Sequence, residues 1–193
     1  MPNRRLVTIL LLGCALSAPA RARAAPAPAV PALALTVERV AATGGGGVYR
    51  IAASGTVAAT PAAAWRVLTD YQHLADVVPD LDSARVLARD GNRVIVEQQG
   101  AARFLWFSRA IRLVVEVRER PPDRIDVSLV EGDMKVYRGS WELHPADGGG
   151  TTVRYDAVIE PAFYVPGIVG TGIVRKDIAA MMTAVLRRMD QDK

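Results

Sequence analysis

Between Asp82 and Glu160 the chain breaks into short runs of alternating apolar and polar residues, and a single amphipathic stretch follows them. Few folds satisfy that order. The runs are Arg85–Arg89, Arg93–Gln99, Phe104–Arg118, Arg124–Glu131, Met134–His144 and Thr151–Glu160. Turn signals separate them: Asp90-Gly91-Asn92, Gly100, Pro121-Pro122-Asp123, Gly132-Asp133 and the stretch from Asp147 to Gly150. Ile111, Leu113, Val115 and Val117 fall on one side of a strand, with Arg112, Glu116 and Arg118 on the other. Ile125, Val127 and Leu129 oppose Asp126 and Ser128, while Val153, Tyr155, Ala157 and Ile159 oppose Arg154, Asp156 and Glu160. A period of two with one apolar face predicts an antiparallel meander that is buried on one face and wet on the other.

The closing stretch has a different period. Val174, Ile178, Met181, Met182, Val185, Leu186 and Met189 recur at three and four residues, which places them on one face of a helix. From about Ile173 to Asp190 such a helix is roughly 27 Å long, enough to cross most of a sheet. Pro166, Gly167, Gly170 and Gly172 read as its loose lead-in, with scope to act as a gate. Upstream of the meander, Leu33–Val40 and Val48–Val57 predict two strands joined at the glycines Gly44–Gly47, a hairpin. Thr60 and Pro61 then predict the cap and first position of a helix, and a second short helix runs from about Tyr71 to Val78.

Residues 1–24 carry a targeting pattern. Arg4 and Arg5 precede the apolar run Leu6–Leu12, and small residues recur up to Ala22-Arg23-Ala24. The apolar stretch falls short of the roughly 20 residues needed to span a bilayer. Export with cleavage after Ala24 is expected, giving a periplasmic or secreted protein. Leu11-Leu12-Gly13-Cys14 also resembles a lipobox, so a lipoprotein anchored at Cys14 is the alternative. Residues 25–32 alternate Pro and Ala and read as a tether, leaving 33–193 as one domain.

The leader's four arginines account for the whole excess of 24 Lys and Arg over 20 Asp and Glu. The remainder is formally neutral and shows no basic run, so no nucleic-acid partner is expected. Cys14 is the chain's one cysteine, which excludes a disulfide framework or a cysteine zinc site after cleavage. No HExxH, CxxC or GxSxG motif occurs, and His73 and His144 have no evident partner in sequence. Asp80 and Asp82 read as loop caps after Pro79. Neither a metal nor a cofactor is expected.

The wording of the sequence adds to this order. Ala53-Ser54-Gly55-Thr56-Val57, then Thr60-Pro61-Ala62-Ala63-Ala64-Trp65-Arg66-Val67-Leu68-Thr69-Asp70-Tyr71, resembles the opening of the START-like (SRPBCC) superfamily. Within it, the polyketide cyclase/dehydrase and coenzyme Q-binding branch is the nearest likeness. Leu74 to Leu87, Gly139-Ser140-Trp141-Glu142-Leu143 and Gly150-Thr151-Thr152-Val153-Arg154-Tyr155 continue the match, over about residues 48–190. The resemblance implies an α+β helix-grip fold, a curved antiparallel sheet wrapped around the long C-terminal helix. It also implies a cavity between the two. Phe107, Ile111, Leu113, Val127, Leu129, Trp141, Tyr155 and Phe163 from the sheet side are expected to line it. From the helix, Ile178, Met181, Met182 and Val185 are expected, the methionines suiting an irregular apolar guest.

The expected function is a non-catalytic carrier for a lipid-like or quinone-like molecule in the cell envelope, with membrane contact for ligand exchange. The rivals are a polyketide cyclase or dehydratase using the same cavity, and an interaction module with a filled core. Export argues against the cyclase, because polyketide synthesis normally sits beside cytoplasmic carrier proteins. If the cavity is catalytic, Arg109, Gln98, Glu131 and Tyr137 are the polar candidates for proton transfer.

Overall fold

Thr60 has extended backbone and its hydroxyl accepts from the Ala63 N–H at 3.2 Å, so helix α1 (Pro61–Thr69) starts where the cap chemistry places it. This computed structural model describes residues 32–41, 47–103, 108–165 and 167–192. The expected leader, nearly all of the Pro/Ala tether, most of the Gly44–Gly47 turn, and Phe107 lie outside the described residues.

Strands β1 (Leu33–Ala41) and β2 (Gly47–Val57) precede α1. A 3-10 turn (Tyr71–His73) and the one-turn helix α2 (Leu74–Val77) follow it. The meander is β3 (Leu81–Asp90), β4 (Arg93–Arg103), β5 (Ser108–Arg120), β6 (Arg124–Gly132), β7 (Met134–Pro145) and β8 (Thr151–Pro161). Helix α3 (Gly167–Gln191) ends the chain. The eight strands form one antiparallel sheet in the order β1-β2-β8-β7-β6-β5-β4-β3. The segment α1–α2 is the crossover that carries the chain from β2 to the far edge at β3, and β2 then pairs with the last strand, Ile51 opposite Ala157.

Several boundaries differ from the sequence reading, each for a local reason. Helix α3 starts at Gly167, so Gly170 and Gly172 are helical and not a loose lead-in. Tertiary packing outweighs their low helix propensity: Gly170 is buried, and a Cβ there would overlap the Tyr49 hydroxyl. The second helix is interrupted, because Tyr71–His73 winds as a 3-10 turn before α2. Asp82 belongs to β3, while Asp80 turns the chain in left-handed backbone, φ 61°, and its carbonyl accepts from Ala101 N at 2.9 Å. At the β6–β7 turn Gly132 has φ 127°, and a Cβ there would run into the Arg112 carbonyl. Only glycine fits that approach, and it lets Asp133 Oδ2 accept from the Arg112 N–H at 2.9 Å.

Two apolar clusters hold α3 to the sheet. Under its C-terminal half, Val185, Leu186 and Met189 pack with Ala63, Ala64 and Leu68 of α1 and with Val94, Val96, Val115, Val117 and Ile125 of the sheet. Towards its middle and N-terminal half, Met182, Ile178 and Val174 pack with Tyr49, Ile51, Ala53, Tyr155 and Ala157. Trp141 and Met181 touch both clusters. Each fully buried side chain of this size contributes about 1.5–3 kcal/mol. Polar ties fix the ends: Thr151 Oγ1 donates to the Ala59 carbonyl at 2.7 Å, and Asp190 Oδ1 accepts from Ala58 N at 2.7 Å. On the outer face an ion-pair chain crosses four strands, from Arg85 to Glu97 at 2.7 Å, Glu97 to Arg112 at 2.8 Å and Arg112 to Glu131 at 2.9 Å.

Candidate functional site

Where the sheet curves away from α3 it leaves a cavity of about 520 Å³. That is within the range of small-molecule sites, about 300–1,000 Å³. The inward residues of three strands form its floor: Val115 and Val117 of β5, Ile125 and Val127 of β6, and Tyr137 and Trp141 of β7. Met181 and Val185 of α3 form one wall. The opposite wall is the crossover segment, with Val67, Leu68, Tyr71, Leu74, Val77 and Val78, and Leu81 at the start of β3. The exposed lining residues are Arg66, Asp70, His73 and Asp192, so the cavity opens between the C-terminal ends of α1 and α3.

Of the residues expected at the cavity, Val127, Trp141, Met181 and Val185 line it. Tyr155 is buried beneath, its ring centroid 4.5 Å from that of Trp141. Met182 is 0% exposed and sits in the core cluster with Tyr155, with Ile178 packed beside it. Leu113 packs against the other cluster. Ile111 and Leu129 are half-buried on their strands, outside the lining. Phe163 lies under the Arg109 guanidinium, 4.8 Å from its ring centroid, also outside the lining.

Among the polar candidates, Gln98 and Tyr137 line the cavity. Arg109 instead faces Asp133 at 3.8 Å, and Glu131 accepts from Arg112 on the outer face. The crossover wall is what the sequence reading missed. Val67, Tyr71, Leu74 and Val78 recur at three and four residues, a signal hidden by the break between α1 and α2.

Two kinds of polar chemistry meet the cavity. In its interior, burial pushes the Tyr137 phenol up, offset in part by a hydrogen bond with Tyr155. Burial, then the neighbouring Tyr137, pushes the Tyr155 phenol well above the ordinary range. Both hydroxyls therefore stay protonated near neutral pH and serve as hydrogen-bonding groups, not bases. At the mouth, His73 Nδ1 lies 2.7 Å from Asp70 Oδ1, a partner three residues away that the sequence reading did not pair with it. That hydrogen bond, then the carboxylate charge, raises the imidazole pKa above 6.5. His144 has a partner too, Glu142 Oε2 at 3.2 Å, outside the cavity. Among the described residues no group of three or more His, Cys, Asp or Glu is placed to hold a metal ion, and no helix is long and apolar enough to cross a membrane.

The fold has solved relatives. The Zhui aromatase/cyclase from a Streptomyces species is similar with a TM-score of 0.64 and 16% identity, covering 75% of this chain and 94% of that one. A START superfamily protein from Mycobacterium smegmatis is similar with a TM-score of 0.63 and 16% identity, over 74% and 97% of the two chains. A STAR-related lipid transfer protein from Xanthomonas axonopodis gives 0.61 and 15% identity, over 79% and 98%. At these identities the likeness is one of fold. No curated protein has a matching sequence. A family model does match, over residues 57–186, from the end of β2 through most of α3. By that match the chain belongs to the START-like family of polyketide cyclases, dehydrases and lipid transport proteins.

Proposed function

We propose that this protein is a cyclase- or dehydratase-type enzyme that holds a polyketide-like molecule in the cavity between sheet and α3. The observation that carries the reading is the lining itself: an apolar chamber of about 520 Å³ whose interior offers a phenol, Tyr137, and an amide, Gln98. A purely hydrocarbon guest has no use for either group. A ketone or hydroxyl on the guest would satisfy both, and a phenol held protonated polarises a carbonyl oxygen. The family description and the aromatase/cyclase of the same fold support this reading.

A second reading is a carrier for a lipid or quinone in the cell envelope. The export expected from residues 1–24 motivates it, and so does a cavity interior whose Tyr137 phenol stays protonated near neutral pH. A lipid transfer protein shares the fold. Native purification, solvent extraction and mass spectrometry of bound molecules separate the two. Conversion of an added polyketide-like substrate, lost in Tyr137→Phe, supports the enzyme; a stoichiometric lipid or quinone returned unaltered supports the carrier. Intact mass of the protein recovered from the producing cell tests cleavage after Ala24 against a lipidated Cys14.

A further inference from the structure

We infer that His73, oriented by Asp70, is the proton-abstracting base of this site, acting on a hydrophobic β-dicarbonyl guest whose acidic C–H lies at the cavity mouth. The inference rests on the cyclase reading above. Its grounds are geometric. His73 and Asp70 both line the cavity, and Nδ1 lies 2.7 Å from the carboxylate. A carboxylate is an acceptor, so it fixes the proton on Nδ1 and leaves Nε2 with a free lone pair. The same arrangement orients the imidazole of catalytic triads. His73 is also the cavity's one imidazole among the described residues, and the phenols inside are held protonated.

The step balances within the site. As the C–H bond between the two carbonyls breaks, Nε2 forms an N–H bond. The electron pair moves into the carbonyl, giving an enolate. When the enolate carbon attacks a second carbonyl of the same chain, a C–C bond forms, and the imidazolium returns its proton to the new alkoxide. No oxidant or further reactant is needed. The charges facing His73 are Asp70 and Asp76 on its own segment and Arg188 on α3, which pairs with Asp192 at 2.9 Å. The carboxylates favour the imidazolium and Arg188 opposes it. His73 is exposed, so solvent reaches the ring, and a guest must cover it for abstraction to be productive.

The test uses the full chain and benzoylacetone in D2O. Binding is read from tryptophan fluorescence, and exchange of the central C–H from NMR. The wild type should bind and exchange the proton above the buffer rate, with a rate that rises as pH passes the His73 pKa. His73→Gln should bind equally and lose at least about a hundred-fold in exchange, the low end for a general base. Asp70→Asn should move the pH midpoint down, because the imidazole loses the carboxylate that favours its charged form. His144→Gln, away from the cavity, should match the wild type. Exchange in His73→Gln equal to wild type, with binding intact, would overturn the base assignment and leave the cavity reading standing. No binding by the wild type would overturn both.

Discussion

The Tyr71 hydroxyl donates a 2.9 Å hydrogen bond to Glu119 Oε1, tying the 3-10 turn above the cavity to strand β5 on the sheet. Arg89 of β3 completes the contact, 3.2 Å from the same oxygen and with its guanidinium 5.7 Å from the Tyr71 ring centroid. Burial first, and then Glu119, pushes the phenol far above its ordinary range, so the donor is present at any working pH. The crossover wall therefore has a fixed polar anchor in an otherwise apolar seam.

Tyr71→Phe removes that anchor while keeping the ring. Glu119 retains Arg89, so no carboxylate is left unpaired, and the expected loss is about 1–2 kcal/mol. Urea unfolding measures it. Stability equal to wild type would mean the turn is held by the apolar wall alone.

Gly170 and Gly172, in the early turns of α3, should respond in opposite directions to alanine. A Cβ at Gly172 meets nothing within 4 Å, so Gly172→Ala gains helix propensity and should stabilise by about 0.5–1 kcal/mol. At Gly170 the added Cβ overlaps Tyr49, whose ring is 0% exposed and whose hydroxyl has no hydrogen-bond partner among the described residues. Gly170→Ala should cost about 1–3 kcal/mol through overpacking. Paired melting curves check both, and a shared sign would contradict this account of the helix start.

Cavity and core are separable by substitution. Val127→Phe places extra volume into the open chamber, so uptake of an apolar dye should fall sharply while the melting temperature holds or rises. Met182→Asp puts an unpaired charge at a 0% exposed position and should cost about 3–5 kcal/mol. Dye titration alongside thermal unfolding tells the two effects apart.

These contrasts show how far the sequence could be read. The strands of the meander and the inward side of β5, β6 and β8 follow from a period of two, which needs no tertiary information, whereas the pairing of β2 with β8 does not. The helix face from Val174 to Met189 follows from its own period in the same way. Which inward residues meet empty space, however, depends on where the sheet curves away from α3. Val127 and Met182 look alike as apolar inward positions, yet one lines the cavity and the other is solid core. The pairing of His73 with Asp70 was obscured for a related reason. It requires the 3-10 turn that follows α1, and the segment reads in sequence as plain helix.

The outer face should govern acid stability. Glu97 is 7% exposed and receives Arg85 at 2.7 Å and Arg112 at 2.8 Å, contacts made only by the ionised carboxylate. Hydrogen bonds from Arg85 and then Arg112 hold its pKa below the ordinary 4.5, although burial works the other way. Glu116 is lowered in the same way, by Arg118 and then Arg93. A folded pKa below the unfolded one means the unfolded chain binds protons first as pH falls. The stabilisation is thus complete above the unfolded value, declines below about pH 4.5, and is gone once pH drops beneath the folded value. Glu97→Gln should lower the melting temperature at neutral pH, because Arg85 loses this carboxylate and Arg112 is left with Glu131 among the described residues. The gap between variant and wild type should then narrow as both are acidified. Melting curves from pH 7 down to pH 3 measure this, and a gap independent of pH would show that the ionised carboxylate contributes nothing to the fold.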